Sequence, residues 1–308
     1  MGSTVSDLDQ LTGHVAAEAI RRTPHAGRCD TLGSSRMAQS GTGWCVVIVV
    51  DAGNTRVKFA WMELVPGGGV PRTLGFVAIP VGQPLPVETL QEWIRDGHPP
   101  QVIVDGSNPP EVDRVLREWP PAGARPQRLG SRTHLPLGIE VDYPDKVGID
   151  RLLNAIAANA RRQPGQIAIV IDSGTATTVD LVDGTGAFRG GAILPGFEMG
   201  AQALHEYTAL LPLIQHHRLH DRVPPVVGRN TTEALESGLY WGHVGAVKQL
   251  IETVHSEHPT PPGVPAPLVM LSGGAAPVLR PHLGSVSWEP ALCLQGLALA
   301  AIANPECG

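Results

Sequence analysis

The sequence lacks the surplus of positive charge that is typical of proteins that bind nucleic acid or acidic membranes. Its 308 residues include 23 Lys and Arg against 29 Asp and Glu, which gives a formal charge of −6. A negative chain of this kind is not expected to bind a polyanion through its overall surface, although a local basic pocket remains possible. We therefore expect neither a nucleic-acid partner nor a membrane partner.

Paired cysteines and long apolar runs are also missing. The cysteines, Cys29, Cys45, Cys293 and Cys307, lie far apart and form no Cys-x-x-Cys spacing, so neither a zinc site nor a disulfide framework is indicated. Reduced thiols favour a cytoplasmic location. The longest apolar stretch, residues 291–303, is shorter than the roughly 20 residues of a membrane-spanning helix and predicts a core helix instead.

Two further segments carry no recognisable functional pattern. Residues 1–44 contain no apolar segment of the kind that a secretory signal requires, and we expect them to form a mobile extension. Histidines cluster in "IQHHRLHD", residues 214–221, where a solvated surface loop is favoured over a zinc site.

What the sequence does contain is an internal repeat. An apolar strand, an Asp-x-Gly turn and a second strand occupy residues 45–64, and the same pattern returns over residues 167–196. Helical periodicity and a further strand follow in each half. We therefore expect a duplicated α/β fold with a first half over residues 45–162 and a second over 163–308.

Each repeat turns in a way that suits phosphate binding. The first strand ends at Asp51, and Gly53 then allows backbone amides to approach an anion closely. The Thr55 hydroxyl and the Lys58 ammonium add donors and positive charge, while Asp51 can hold Mg²⁺ through water. A single Asp-x-Gly is more often an ordinary hairpin turn, but the second copy at Asp172 favours two phosphate hairpins that face each other across a cleft.

Seven motifs together resemble the type III pantothenate kinases, which belong to the acetate and sugar kinase, Hsp70 and actin superfamily. The motifs occur in this order: "DAGNTRVK" at 51–58, "VGIDR" at 147–151, "DSGTATTVD" at 172–180, "GGAILPG" at 190–196, "TALLP" at 208–212, "GRNTTEALESG" at 228–238 and "LSGG" at 271–274. The resemblance implies a duplicated actin-like ATPase (ribonuclease H-like) fold around a nucleotide cleft. It also implies transfer of the γ-phosphoryl group of ATP to pantothenate, the first committed step to coenzyme A.

The motif "GIDR" matches the catalytic segment of that family. It implies that Asp150 is the base that orients the substrate hydroxyl and accepts its proton, and that Arg151 grips the pantothenate carboxylate. Without the resemblance, Asp150 would be read as dipole compensation and capping at a helix N-terminus. Arg151 would then form a surface ion pair with Asp145 or Glu140.

The remaining matched positions imply contacts with the substrates and a monovalent cation. Substrate contacts are implied for Asn54, Gly148 and Thr231, although Thr231 could equally cap the helix that follows it. Asp172 matches a site for K⁺ or NH₄⁺. Phosphate and adenosine contacts are implied for Asp51, Gly53, Asn54, Thr55, Lys58, Gly174, Thr175, Gly273 and Gly274.

Two departures from the family pattern affect the expected pocket and the chain start. A substrate-lining tyrosine usually lies nine residues before the catalytic Asp, but Val141 occupies that position here, with Tyr143 nearby. Either the loop shifts to bring Tyr143 into the pocket or the pocket lacks the hydroxyl. The extension over residues 1–44 is the second departure.

Family members pair as homodimers, and one long helix suggests a partner surface here. The segment from Thr231 onwards carries a broad apolar surface that includes Tyr240, Trp241 and Val244. Burial of this surface within one subunit is the alternative. Two other functions also stay open: a catalytically idle regulator resembling the Bvg accessory factor, and a related sugar or small-acid kinase.

Overall fold

The computed structural model describes residues 46–65, 67, 69–94, 101–120, 125–130 and 132–304. The predicted extension over residues 1–44 lies outside these residues. The chain forms two compact units. The first contains the described residues up to Leu137, then Tyr143–Arg161 and the chain from Ala291, and the second contains Gly138–Asp142 and Arg162–Pro290. Among the described residues, no helix combines the length and the apolar content of a membrane span.

The first unit is built on a five-stranded mixed sheet with strand order β3-β2-β1-β4-β5. Its strands are β1 (Val46–Ala52), β2 (Arg56–Val65), β3 (Gly69–Pro80), β4 (Gln101–Asp105) and β5 (Gln127–Arg128). Helices α1 (Val87–Ile94), α2 (Pro109–Glu118) and α3 (Ile149–Asn159) belong to the same unit. β1 runs antiparallel to β2 and parallel to β4, so the carboxyl ends of β1 and β4 meet at one edge of the sheet.

The second unit repeats this architecture. Its strands are β6 (Ala168–Ser173), β7 (Ala176–Val182), β8 (Phe188–Pro195), β9 (Leu268–Ser272) and β10 (Ser287–Trp288), in the order β10-β9-β6-β7-β8. Its helices are α4 (Phe197–Glu206), α5 (His216–His220), α6 (Thr231–Glu257) and α7 (Ala276–Leu279). Read in reverse, this order is β8-β7-β6-β9-β10, so β6 takes the central place that β1 has in the first sheet. The two sheets are equivalent, which confirms the duplicated α/β fold.

The last helix, α8 (Leu292–Ala303), belongs to the first unit. The repeat pattern assigned residues 163–308 to the second half, but α8 packs on α3 and on strands β1 to β4. It is buried almost throughout, as a core helix should be. The α3–α8 contact is close at Gly296, where an added Cβ would lie 1.9 Å from the Leu153 carbonyl oxygen, so this pairing depends on glycine.

Two sequence-based expectations for the second unit need correction. The histidine-rich segment is not a loop over its whole length, because His216–His220 forms α5, whose Leu219 is buried in the core. The apolar surface of α6 is used largely inside its own unit. Val244 is buried, and Trp241 packs against the same core cluster. Burial within one subunit therefore accounts for this apolar surface.

Candidate active site

The first predicted phosphate hairpin joins β1 to β2. Asp51 lies directly opposite Lys58 across the two strands, and the Lys58 Nζ is 3.2 Å from Asp51 Oδ2. The turn closes with the Gly53 amide donating to the Arg56 carbonyl oxygen at 3.0 Å. Asn54 lies at the exposed tip of this turn, as does Thr55. A buried carboxylate is thus held beside an ammonium group at the base of an exposed turn.

Asp105 is a second carboxylate at the same edge, and the motif analysis gave it no role. It ends β4 directly opposite Asp51 in the parallel pair, so both side chains lie on one face of the sheet. Its carboxylate accepts a hydrogen bond from the Gly106 amide at 2.8 Å. Burial raises the pKa of Asp105 above its ordinary value, and the nearby Asp51 charge adds to this effect. An apolar strand ending in Asp-Gly was the available signal, but that pair is common in turns.

The second hairpin joins β6 to β7 through a turn that is one residue shorter than the first. Its Gly174 amide donates to the carbonyl oxygen of Ala176, two residues later, at 3.0 Å, whereas Gly53 donates to Arg56, three residues later. Asp172 lies opposite Thr178 on β7 and opposite Ser272 on β9. The row Thr178–Asp172–Ser272 therefore corresponds to Lys58–Asp51–Asp105 in the first unit. Thr178 Oγ1 is buried and has no hydrogen-bond partner within the described part of the chain.

A glycine follows β4 in the first unit and β9 in the second, and the absence of a side chain there lets the chain pass close to the hairpin backbone. Gly273 has φ +91°, and a Cβ there would lie 2.3 Å from the Ser173 carbonyl oxygen. Gly106, with φ +158°, takes the same position against Ala52. In the second unit the Ala275 amide also donates to the Ser173 carbonyl at 2.9 Å. The Gly273 loop is thereby fixed against the second hairpin.

The "GIDR" motif lies at the N-terminus of α3. Gly148 is the N-cap residue, and Asp150 in the first turn accepts a hydrogen bond from the Arg151 amide through Oδ1 at 3.0 Å. The Asp150 and Arg151 residues are half-buried. A Cβ on Gly148 would lie 2.5 Å from Asp150 Oδ1, so the absence of a side chain at 148 leaves room for the carboxylate in this position.

The surroundings of "GIDR" bear on two alternatives. Glu140, considered as an ion-pair partner of Arg151, pairs with Arg189 instead. Tyr143, considered as a replacement for the missing pocket tyrosine at Val141, is 67% exposed. The Lys146 ammonium lies 4.7 Å from the centroid of its ring. The exposed position of Tyr143 favours a pocket without that hydroxyl.

Thr231 is the first residue of α6 rather than its cap. The cap is Asn230, whose side chain accepts a hydrogen bond from the Glu233 amide at 3.0 Å. The capping alternative for Thr231 is therefore wrong, because the neighbouring residue performs that function. The Thr231 side chain is exposed at the beginning of the helix.

The structure groups the predicted site residues within each unit. In the first unit, Asp51, Gly53 and Lys58 share one hairpin, while Gly148, Asp150 and Arg151 share the start of α3. In the second unit, the hairpin with Asp172, Gly174 and Thr175 is joined to the Gly273–Gly274 loop through Ser173. Among the residues that the structure describes, no group of three or more His, Cys, Asp or Glu side chains forms a metal cluster.

Comparisons with known proteins agree with these motifs. Residues 47–253 match the family model described as type III pantothenate kinase. The type III pantothenate kinase of Gluconobacter oxydans is 34% identical over 274 residues, covering 84% of this chain and 94% of the relative. That of Acidiphilium cryptum is 40% identical over 195 residues, covering 62% of this chain and 68% of the relative.

A solved structure supports the fold. A protein from Campylobacter jejuni described as a Baf family transcriptional activator aligns with a TM-score of 0.50 and 15% identity. The alignment covers 84% of this chain and 99% of that protein. At this identity the likeness concerns the fold alone.

Proposed function

Since the chain belongs to the type III pantothenate kinase family, we propose that it uses ATP to phosphorylate the primary hydroxyl of pantothenate, the first step of coenzyme A biosynthesis. The family match over residues 47–253 carries this conclusion. A half-buried carboxylate stands at Asp150, at the motif position that the reaction requires. A cytoplasmic location stays a prediction from the isolated cysteines.

Asp150 is proposed as the general base. The pantothenate hydroxyl attacks the γ-phosphorus, its proton passes to the Asp150 carboxylate, and the bond to ADP breaks. The Arg151 amide donates a hydrogen bond to Asp150 Oδ1, which helps to orient the carboxylate. The planar guanidinium of Arg151 suits the pantothenate carboxylate, because it can donate two parallel hydrogen bonds. Asn54, Gly148 and Thr231 are proposed as further substrate contacts.

The two hairpins are proposed to bind the phosphates of ATP. Because the Gly53 and Gly174 amides close the two turns, the exposed residues that follow them, Asn54 and Thr55 in the first hairpin and Thr175 in the second, are proposed as phosphate contacts. Lys58 supplies positive charge at the first turn. Mg²⁺ is often held by one or two carboxylates together with substrate phosphates, and Asp51 and Asp105, which lie opposite each other on neighbouring strands, fit that ligand set. When bound, Mg²⁺ neutralises charge on the phosphates. Gly273 and Gly274 are proposed to line the adenosine.

A monovalent cation, K⁺ or NH₄⁺, is proposed at Asp172. The residues there fit such an ion, because a carboxylate lies between two hydroxyl side chains on one face of the sheet. The Thr178 hydroxyl is buried without a partner, which is costly unless a ligand satisfies it. Oxygen-only ligands of this kind suit a weakly hydrated cation.

A homodimer is also proposed, through a different surface from the apolar side of α6. The segment between α4 and α6 exposes large apolar side chains that no core residue covers: Tyr207, Leu210, Val223, Val226 and Val227. Leu210 is 91% exposed. Buried Glu236 on α6 pairs with Arg218 and Arg222, which attaches the middle of this segment to α6. Several large apolar side chains exposed within one segment favour a protein partner.

A regulator without catalytic activity is the alternative. A protein that only binds would have no chemical need for the Asp150 carboxylate, the Lys58–Asp51 pair and the Asp172 row together. The likeness to a Baf family protein concerns the fold and does not favour regulation.

The proposal is tested by a coupled ATPase assay with pantothenate, and with glucose, N-acetylglucosamine and acetate as control acceptors. Turnover with pantothenate alone is expected. Asp150→Asn should lower kcat on the order of a hundredfold or more while ATP binding, measured by calorimetry, stays nearly unchanged. Wild-type protein that binds ATP but phosphorylates none of these acceptors would contradict the proposal.

A further inference from the structure

The second unit contains a chain of hydrogen-bonded polar side chains, two buried and one half-buried, that the proposed reaction does not use. Ser173 Oγ lies 2.8 Å from Thr177 Oγ1, and Thr177 Oγ1 lies 3.1 Å from Nε2 of His243 on α6. Both hydroxyl residues are completely buried. Burying the two hydroxyl groups costs free energy unless they are hydrogen-bonded, and a fully hydrogen-bonded network keeps its surroundings rigid.

The chain lies directly behind the tip of the second hairpin. Ser173 and Thr177 face each other across β6 and β7 and flank the turn at Gly174 and Thr175. Side chains alternate between the two faces of a strand, so this pair lies on the face opposite to Asp172 and Thr178. One face of the hairpin thus carries the proposed cation ligands, and the other carries the hydrogen-bonded chain.

His243 connects the hairpin to the rest of the unit. Its ring packs on Phe197, with ring centroids 4.4 Å apart. Phe197 follows Gly196, whose amide donates to the Thr175 carbonyl oxygen at 3.1 Å. Burial lowers the pKa of His243 below its ordinary value, so the ring is neutral at physiological pH and has one donor and one acceptor nitrogen.

Ser173 also supports the loop proposed for adenosine. Its carbonyl oxygen accepts the Ala275 amide at 2.9 Å, and Gly273 crosses its backbone in a contact that leaves no room for a Cβ. Movement of Ser173 would therefore shift both the phosphate turn and the adenosine loop.

We propose that His243, Thr177 and Ser173 are positioning residues that hold the second hairpin and the Gly273–Gly274 loop in the shape that binds ATP. The inference rests on the proposed function, since it takes this hairpin to bind the nucleotide. The three side chains act through the backbone of Gly174 and Thr175 and do not touch the reacting atoms.

Thr177→Val tests the middle of the chain, because valine keeps the shape of threonine and removes its hydroxyl. The KM for ATP and the dissociation constant of a non-hydrolysable ATP analogue should each rise about tenfold, as expected for loss of a buried hydrogen bond. The KM for pantothenate, and kcat at saturating substrates, should change little. Thr177→Ser keeps the hydroxyl and should restore wild-type values.

Tyr240→Phe is the matched control. It also removes a hydroxyl–imidazole hydrogen bond from α6, because Tyr240 Oη lies 2.8 Å from Nε2 of His282. This variant should lose thermal stability without losing nucleotide affinity. Equal weakening of binding by Thr177→Val and Tyr240→Phe would overturn the proposal, because it would indicate general destabilisation. Unchanged binding in Thr177→Val would overturn it as well.

His243→Phe provides a second route if Thr177→Val does not fold. It keeps an aromatic ring beside Phe197 and leaves the Ser173–Thr177 bond in place, and it should weaken nucleotide binding in the same way. Wild-type affinity in this variant would refute a positioning role for His243. Calorimetry needs no pantothenate, so protein that binds the analogue but does not phosphorylate pantothenate would contradict the proposed function alone.

Discussion

Gly148→Ala should displace the Asp150 carboxylate and lower activity while changing the stability of the fold only slightly. The added Cβ would lie 2.5 Å from Asp150 Oδ1, whereas ordinary contacts of a Cβ begin at 3.4 Å, so the oxygen must move by roughly 0.9 Å. A displacement of about 1 Å in a reacting group can cost on the order of a hundredfold in rate, or about 2.7 kcal/mol. We therefore expect kcat at saturating pantothenate to fall about a hundredfold.

The fold should tolerate this change, because the atom that is pushed aside is the end of a side chain. Ala is a poorer N-cap than Gly by up to about 1 kcal/mol, which corresponds to a melting temperature lower by about 2–4 °C. Gly242→Ala is the matched control, since its added Cβ would meet nothing within 4 Å in the described part of the chain apart from the backbone of its own helix. It should keep wild-type kcat and melt at the same temperature or higher. If Gly148→Ala kept wild-type kcat, the geometric argument for Asp150 would fail.

Three further predictions concern pH, cations and assembly. Burial raises the pKa of Asp105, so the folded wild type loses stability as the pH rises through the pKa that this carboxyl has in the folded state. Asp105→Asn should therefore raise the melting temperature near pH 7, and this gain should shrink toward about pH 4, where the carboxyl is largely protonated in both states. A gain that is the same at every pH would contradict this explanation. Turnover should be higher in potassium or ammonium salts than in sodium salts, and Thr178→Val should reduce this preference while the protein stays folded. Equal rates in all three salts would contradict the proposed cation site at Asp172. Leu210→Glu, but not the control His255→Glu, should lower the sedimenting mass, whereas a fully active wild-type monomer at assay concentration would overturn the dimer.

The fold could largely be predicted because its signals are local. Each Asp-x-Gly turn follows an apolar strand, and the return of this pattern 121 residues later indicated the duplication before any contact was known. The assignment of α8 could not be predicted in this way. An evenly apolar helix shows that it is buried but does not show which sheet buries it, and the contact at Gly296 depends on a residue 143 positions earlier, Leu153.

In the candidate site, too, the residues in local motifs could be predicted, whereas those whose role depends on long-range contacts could not. Asp51, Asp150 and Asp172 could be found because each lies in a motif with its neighbours in sequence. Asp105 becomes notable only when the register places it opposite Asp51. His243 and Thr177 are 66 residues apart, and nothing in either local sequence indicates that they are hydrogen-bonded. The apolar pattern of α6 also could not show whether its surface is buried within one subunit or between two, because that depends on tertiary packing.

The placement of α8 has a consequence for how the protein matures on the ribosome. The first unit is made of three separate stretches, and its sheet lacks α8 until residues 292–303 have emerged, although its strands are synthesised first. The second unit is nearly continuous and can complete its own core earlier, which reverses the usual order in which N-terminal domains fold first. Nascent chains that have not yet reached α8 therefore lack the helix that packs on strands β1 to β4 of the first sheet.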